Sequence, residues 1–155
     1  MMKQIQAFRA KLDSGQFCVG CGITFSDPAV TECLCESADF MWIDLEHTPL
    51  GLESVLGHLI AAHGGGVPAL VRVPVSDPMW IKRVLDTGAD GVIVPQIRSA
   101  EEVQRCVSAC RYPPEATRGF GPRRGARYGR SKSSEYREEA NRGVFCVAQI
   151  ETVEA

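Results

Sequence analysis

The sequence has no long apolar run. Its 155 residues are 45% hydrophobic and 23% charged, which is ordinary for a globular protein. No stretch approaches the roughly 20 apolar residues that a helix needs to cross a bilayer. The start, from Met1 to Gln6, also lacks the apolar core of a secretion signal. We therefore expect a cytoplasmic protein without a membrane partner.

An excess of positive charge is missing as well. Lysine and arginine number 17 against 19 acidic residues, which gives a net charge of -2. Proteins that bind nucleic acid usually carry a basic surface. The one feature that favours such a partner is a basic segment with Arg118, Arg123, Arg124, Arg127 and Arg130. The overall charge leads us to expect no nucleic acid partner.

The cysteines do not form an even set. The seven cysteines are Cys18, Cys21, Cys33, Cys35, Cys106, Cys110 and Cys146. An odd number in a chain of this size argues against a secreted disulfide scaffold. The first four have spacing that a zinc site could use, but Cys18 and Cys21 lie on a predicted strand, where their side chains would point to opposite faces. We expect reduced thiols that pack as small apolar side chains.

Apolar strands and amphipathic helices alternate along most of the chain. Ile5, Phe8 and Leu12 recur with helical spacing, so a helix is predicted over 3–13. Predicted strands cover 17–24, 40–46, 69–75, 91–97 and 144–150, and predicted helices cover 28–37, 52–62, 78–88 and 100–111. Strands that are nearly all apolar and separated by helices are typical of a buried parallel sheet. Two similar endings, Ala38-Asp39 and Ala89-Asp90, indicate an internal βα repeat.

Residues 113–142 interrupt this rhythm. The segment begins with Pro113-Pro114 and contains several glycines and the arginines named above. A loop of this length in a compact domain is usually functional or disordered. We expect it near the mouth of an active site, and a solvated or subunit-contact loop is the alternative.

Two architectures fit the alternation. A doubly wound sheet needs only about 150 residues, whereas a (βα)8 barrel needs about 250. Length favours the doubly wound sheet. Polar residues at the predicted strand ends favour the barrel, because barrel active sites lie at the carboxyl ends of the strands.

The second and third strands carry ionisable residues where they end. Asp44 and Glu46 share a face of the second strand, and His47 follows them. Charged groups are costly to bury without a purpose, so these residues are either functional or paired with arginines of neighbouring strands. Arg72, on the third strand, could hold a substrate carboxylate or form a structural ion pair with Glu46.

The fifth strand ends in the same manner. Gln149 and Glu151 share a face at its carboxyl end. A glutamate at such a position could be a ligand for a hard divalent cation, with the amide beside it, or a satisfied core carboxylate. Asp86, late in the fourth predicted helix, is either a surface residue or a partner for His47. The sequence pattern does not decide between these two roles.

Five ordered motifs together resemble the HpcH/HpaI aldolase family of class II, metal-dependent pyruvate aldolases. They are Asp39–His47, Pro68–Pro74, Leu85–Pro95, Tyr112–Gly119 and Gln149–Thr152. The resemblance covers nearly the whole chain from about residue 15. It implies an α/β fold, a (βα)8 TIM barrel of the phosphoenolpyruvate/pyruvate type. The chain would be its amino-terminal portion, a single incomplete barrel domain over 1–155 that ends after about strand five.

The resemblance also implies an activity. Such proteins cleave a 4-hydroxy-2-oxo acid into pyruvate and an aldehyde with a divalent cation (Mg, Mn or Co), commonly as homo-oligomers. By position, Glu151 would bind the metal and Gln149 would orient substrate and water. Arg72 would contact the pyruvyl oxygens. His47 would take part in proton transfer, with Asp86 orienting its ring, and Asp44 and Glu46 would support the site.

The sequence departs from the family pattern in one respect. The second carboxylate ligand, an aspartate in a Gly-Pro-x-Asp-type loop, has no counterpart before Ala155. We therefore expect this polypeptide alone to bind metal poorly and to lack aldolase activity. Two other functions stay open. One is a malyl- or citryl-coenzyme A lyase on the same barrel, and the other is a non-catalytic barrel fragment that acts as a binding or assembly module.

Overall fold

A computed structural model describes residues 3–155, which form six α-helices, a short 3-10 helix (Arg127–Gly129) and five strands. The helices are α1 (Lys3–Asp13), α2 (Pro28–Leu34), α3 (Leu52–Gly64), α4 (Pro78–Asp86), α5 (Ala100–Cys110) and α6 (Ser133–Gly143). The strands are β1 (Gly20–Ile23), β2 (Phe40–Asp44), β3 (Ala69–Arg72), β4 (Gly91–Ile97) and β5 (Phe145–Ile150). None of the helices described over this range is long and apolar enough to span a membrane.

The five strands form one parallel sheet in chain order. Each strand from β2 to β5 is hydrogen-bonded to the strand before it in the chain. A doubly wound sheet would instead reverse its strand order at a switch point. The observed order is that of a (βα) barrel, and the structure is a TIM-barrel-type fragment, as the sequence predicts.

The sheet has two chemically different faces. On the outer face, Ile43, Val71 and Val92 are fully buried under the helices, where they meet α3 residue Leu59 and α4 residue Ile81. Burying an aliphatic side chain of this kind contributes roughly 1.5–3 kcal/mol. This layer, between sheet and helices, is the main hydrophobic core.

The inner face is concave and apolar. It borders a groove of about 520 Å³ that is lined mainly by aromatic and aliphatic side chains, including Phe40, Trp42, Leu70, Ile93, Phe145 and Val147. Helix α1 lies at the amino-terminal end of this face. Its Phe8 ring packs 5.2 Å from Phe40 and 5.8 Å from Phe145 between centroids. In a complete barrel this face would be the interior.

The repeated aspartates have the same structural role. Asp39, just before β2, accepts a hydrogen bond from the backbone N–H of Val19 at 2.8 Å. Asp90, just before β4, accepts one from the backbone N–H of Ala69 at 2.9 Å. Each aspartate therefore ties the start of its own strand to the start of the preceding strand, which agrees with the predicted βα repeat.

Some element boundaries differ from the predictions. Strands β1, β2 and β3 are shorter than predicted, so Glu46 and His47 lie in the loop after β2. The expectation of a loop over 113–142 was wrong for its last third, which is helix α6. Tyr136 and Ala140 lie one turn apart on α6 and are buried, which is the helical pattern of a buried face. The neighbouring prolines, glycines and arginines hid this pattern.

Candidate functional site

The carboxyl edge of the sheet is organised around one ion pair. Asp44 at the end of β2 lies opposite Arg72 at the end of β3 in the strand register. Arg72 donates from Nε to Asp44 Oδ1 at 2.8 Å and from Nη2 to Asp44 Oδ2 at 2.7 Å. Asp44 Oδ1 also accepts from the backbone N–H of Glu46 at 2.9 Å. This bidentate geometry fixes the plane of the guanidinium.

The surroundings determine the protonation of this pair. Burial by itself would raise the pKa of Asp44, but the hydrogen bonds from Arg72 and from the Glu46 backbone outweigh it, and the pKa is lowered. The hydrogen bond to Asp44 raises the pKa of Arg72. Both groups are therefore charged at neutral pH.

Glu46 adds a second carboxylate to the same guanidinium. Its Oε2 lies 3.1 Å from Arg72 Nη1, and its side chain is only 7% exposed. This oxygen is buried and makes no hydrogen bond of acceptable geometry within residues 3–155. Glu46 therefore retains acceptor capacity that a bound cation or water could use.

Glu151, just after β5, is linked to Glu46 through Gln96. Its Oε2 accepts a hydrogen bond from the backbone N–H of Gln96 at 2.6 Å. Gln96 also donates from Nε2 to Glu46 Oε1 at 3.3 Å. Sequence reasoning missed Gln96, although it lies near the end of β4 as the other site residues lie near the ends of their strands.

Gln149 lies one pleat below Glu151. It belongs to the lining of the inner groove, and its Oε1 is buried without a hydrogen-bond partner in the described chain. An unpartnered buried oxygen is uncommon in a native structure.

The two remaining predicted site residues do not meet. His47 lies beside Glu46, with 3.7 Å between its Nε2 and Glu46 Oε2, and its side chain is 70% exposed. Asp86 is the last residue of α4, at the amino-terminal edge of the sheet. There it accepts a hydrogen bond from Arg118 at 3.1 Å. The expected contact in which Asp86 orients the His47 ring is not formed within this chain, because the two residues lie at opposite edges.

The arginine-rich segment also lies away from this edge. Arg118 is buried against Asp86 and over the ring of Tyr112, 4.4 Å from its centroid. Arg124 contacts His63 Nδ1 at 2.9 Å, next to Asp90 at the start of β4. The expectation that this segment borders the site mouth was therefore wrong for these two arginines, which fasten it to the amino-terminal edge.

The carboxyl edge is chemically suited to a hard cation. Asp44 and Glu46 contact Arg72 at 2.7 and 3.1 Å, and the charge of Glu151 also raises the pKa of Arg72, so three carboxylates act on one guanidinium. Carboxylate and amide oxygens are the ligands that Mg²⁺ and Mn²⁺ prefer. Over residues 3–155 no three His, Cys, Asp or Glu side chains converge as a metal-binding group. Glu151 and Gln149 are the oxygen-bearing side chains of β5 and its end that could contribute to a cation site.

The cysteines are distributed between interior and surface. Cys106 and Cys110 are buried under the sheet, as expected of small apolar side chains. Cys33 is exposed, and the other four are partly buried. The expectation of general burial was therefore wrong for Cys33.

Comparison with known proteins identifies the family. The profile of the HpcH/HpaI aldolase/citrate lyase family matches residues 24–155. The hydroxypyruvate/pyruvate aldolase of Roseovarius nubinhibens is 36% identical over 94% of this chain and 57% of its own length. The 4-hydroxy-2-oxovalerate aldolase of Novosphingobium aromaticivorans is 37% identical over 100% of this chain and 59% of its own length.

A solved structure shows the same fold. The HpcH/HpaI aldolase of Desulfitobacterium hafniense superposes with a TM-score of 0.87 at 31% identity, over 95% of this chain and 57% of that one. The chain thus spans a little under three-fifths of the length of these relatives. On sequence and fold together, the chain belongs to the HpcH/HpaI aldolase/citrate lyase family.

Proposed function

We propose that this chain provides the pyruvate-binding edge of an aldolase that cleaves a 4-hydroxy-2-oxo acid into pyruvate and an aldehyde. The observation that carries the proposal is the arrangement around Arg72. Its guanidinium is fixed by Asp44 at 2.7 and 2.8 Å, at the sheet edge where barrel active sites lie. Glu46, His47, Gln149 and Glu151 all occupy the same edge.

Arg72 binds the anionic end of the substrate. Asp44 engages Nε and Nη2, and Glu46 Oε2 lies 3.1 Å from Nη1, so a carboxylate or 2-oxo oxygen of the substrate reaches the guanidinium by replacing the Glu46 contact at Nη1. When the C3–C4 bond breaks, its electron pair passes into the pyruvate enolate. A guanidinium that is already oriented stabilises this charge as it develops, without reorganisation.

His47 carries the proton. The proton of the 4-hydroxyl passes to His47, through water, as the C3–C4 bond breaks and the aldehyde forms. The enolate carbon C3 then takes up a proton to give pyruvate. An exposed imidazole is suited to this role because histidine is the side chain that most often transfers protons in active sites.

Glu151 would hold a divalent cation (Mg, Mn or Co), with Gln149 orienting substrate and water beside it. Such an ion supplies Lewis-acid polarisation of the 2-oxo group when bound. The buried, unpartnered Oε1 of Gln149 and the carboxylate excess around Arg72 support this assignment.

The test uses a completed chain, in which the 155 residues are fused to the part of the Novosphingobium aldolase that lies beyond the matched region. We expect pyruvate release from 4-hydroxy-2-oxo acids that stops on chelation of divalent cations and returns when Mn²⁺ is added. The variant Arg72→Ala is expected to lose the activity, whereas Arg105→Ala on the exposed face of α5 keeps it. A folded completed chain that releases no pyruvate from any 4-hydroxy-2-oxo acid would contradict the proposal.

Assays of the same completed chain also distinguish the aldolase from two other functions. A malyl- or citryl-coenzyme A lyase would cleave the thioester substrate and release no pyruvate. A non-catalytic binding or assembly module would bind no divalent cation even in the completed chain. The aldolase is preferred because relatives that are 36% and 37% identical over nearly the whole chain are named aldolases.

A further inference from the structure

Gln96 has an unusual backbone conformation at the carboxyl edge of the sheet. Its φ is 55°, in the left-handed region that side chains with a Cβ rarely adopt. The residue lies inside β4, where the β4–β5 register shifts between Val94 and Ile97. Strain of this kind persists only where the surrounding structure holds it, and it is concentrated at functional sites.

The left-handed turn directs two groups of Gln96 at two carboxylates. Its backbone N–H lies 2.6 Å from Glu151 Oε2, and its side-chain amide lies 3.3 Å from Glu46 Oε1. Glu46 follows β2 and Glu151 follows β5, so two strands separate them in the sheet. Gln96 therefore links the carboxylates of Glu46 and Glu151 along the carboxyl edge of the sheet.

This link has an electrostatic reason. Glu46 and Glu151 both accept hydrogen bonds from Gln96, so these two like charges lie near each other and repel. Hydrogen bonds from Gln96 offset that repulsion. The bond to Oε2 also fixes the rotamer of Glu151, while Oε1 of Glu151 makes no hydrogen bond in the described chain.

We propose that Gln96 is a positioning residue whose left-handed backbone N–H orients the Glu151 carboxylate toward a divalent cation, while its side-chain amide holds Glu46 alongside. The inference rests on the proposed function and deepens it. It assigns the orienting role to the backbone conformation at position 96.

Four variants of the completed chain test the assignment. Gln96→Val replaces the residue with a β-branched one that disfavours positive φ, so the N–H should turn away from Glu151. Gln96→Gly keeps the N–H and favours positive φ, but removes the side-chain amide. Gln96→Asn tolerates positive φ with a shorter amide. Tyr128→Val is the matched control, because Tyr128 also has a positive φ, 55°, far from the site.

Mn²⁺ affinity, measured by electron paramagnetic resonance of the free ion, is the readout, and circular dichroism establishes folding. We expect Gln96→Val to weaken binding by about tenfold or more, as loss of an outer hydrogen bond to a metal ligand usually does. Gln96→Gly and Gln96→Asn should stay within about threefold of the parent, and Tyr128→Val should match it.

The possible failures are distinct. Affinity in folded Gln96→Val equal to that of the parent would overturn the role of Gln96 and leave the proposed function intact. An equal loss in Gln96→Gly and Gln96→Val would overturn the assignment to the backbone N–H. A parent that binds no Mn²⁺ would overturn the metal-dependent function and this inference with it.

Discussion

Arg72 and Asp44 are direct partners in the register of β3 and β2, and Arg72 donates two hydrogen bonds of 2.7 and 2.8 Å to the Asp44 carboxylate. Both residues are mostly buried, with side-chain exposures of 14% and 9%. The pair therefore joins two strands at the edge where the proposed chemistry takes place. Fold stability and the orientation of the guanidinium depend on the same contact.

Replacing Arg72 with lysine should cost stability as well as function. Lysine keeps the charge but cannot form the two parallel hydrogen bonds. We expect the free energy of unfolding to fall by about 1–3 kcal/mol, measured by urea denaturation. Arg105→Lys, which affects an exposed pair with Glu102 at 3.6 Å, should change it by less than about 0.5 kcal/mol. Equal effects of the two substitutions would contradict this view of the Arg72–Asp44 pair.

Acid should destabilise the chain partly through Asp44. Its pKa is lowered in the folded state because the hydrogen bonds from Arg72 and Glu46 outweigh the effect of burial. The unfolded state therefore takes up the proton first. The stabilisation is complete above the unfolded pKa, near 3.9, and is lost as the pH falls through the folded pKa.

Asp44→Asn should accordingly be less stable than the parent at pH 6 and lose less further stability between about pH 4 and pH 2. Urea denaturation at a series of pH values measures both. Parallel stability curves for parent and variant would show that Asp44 does not contribute to the acid response.

Two strand glycines should respond very differently to a methyl group. A Cβ on Gly91 in β4 would lie 2.6 Å from the carbonyl oxygen of Phe145 and 2.8 Å from the side chain of Leu70. A Cβ on Gly22 in β1 would meet nothing within 4 Å. We expect Gly91→Ala to destabilise by about 1–3 kcal/mol or more, whereas Gly22→Ala stays within about 0.5 kcal/mol of the parent. If thermal denaturation shows that Gly91→Ala leaves stability unchanged, β4 and β5 lie further apart than they do in the structure.

The 155-residue polypeptide by itself should be a poor enzyme. It contains Glu151 but no Gly-Pro-x-Asp sequence, the pattern in which the family resemblance implies a second carboxylate ligand, and its inner groove of about 520 Å³ is open. We expect weak Mn²⁺ binding and no pyruvate release, in contrast to the completed chain. Parallel assays of the two polypeptides measure the difference, and a rate for the short chain within about tenfold of the completed one would refute the expectation.

The alternation of strands and helices could be predicted from the sequence because its signals are local. Asp27-Pro28 and Asp77-Pro78 mark helix starts, and both aspartates cap the next helix in the structure. Helix α6 was missed because Tyr136 and Ala140 form a short buried face within a strongly polar segment. Such a short pattern does not predict a helix by itself, and the helical state depends on tertiary packing.

Only part of the candidate site could be predicted from the sequence. Asp44, Glu46 and Arg72 could be selected because ionisable groups at apolar strand ends are unusual. Pairing of these carboxylates with an arginine of a neighbouring strand was one of the two alternatives left open by the sequence, and the structure shows it, with Arg72 at 2.7 Å from Asp44 and 3.1 Å from Glu46. Gln96 could not be found by pattern, because its role depends on a backbone φ of 55°. The distance between His47 and Asp86 likewise follows from opposite strand edges and not from spacing along the chain.

The chain-order pairing of the strands has a consequence for synthesis on the ribosome. Every strand from β2 to β5 pairs with the strand made just before it, so none of these four has to wait for a later strand. Each new βα unit can dock onto a finished edge as it emerges. The sheet can thus grow from β1 to β5 in the direction of translation, with short loop closures at every step.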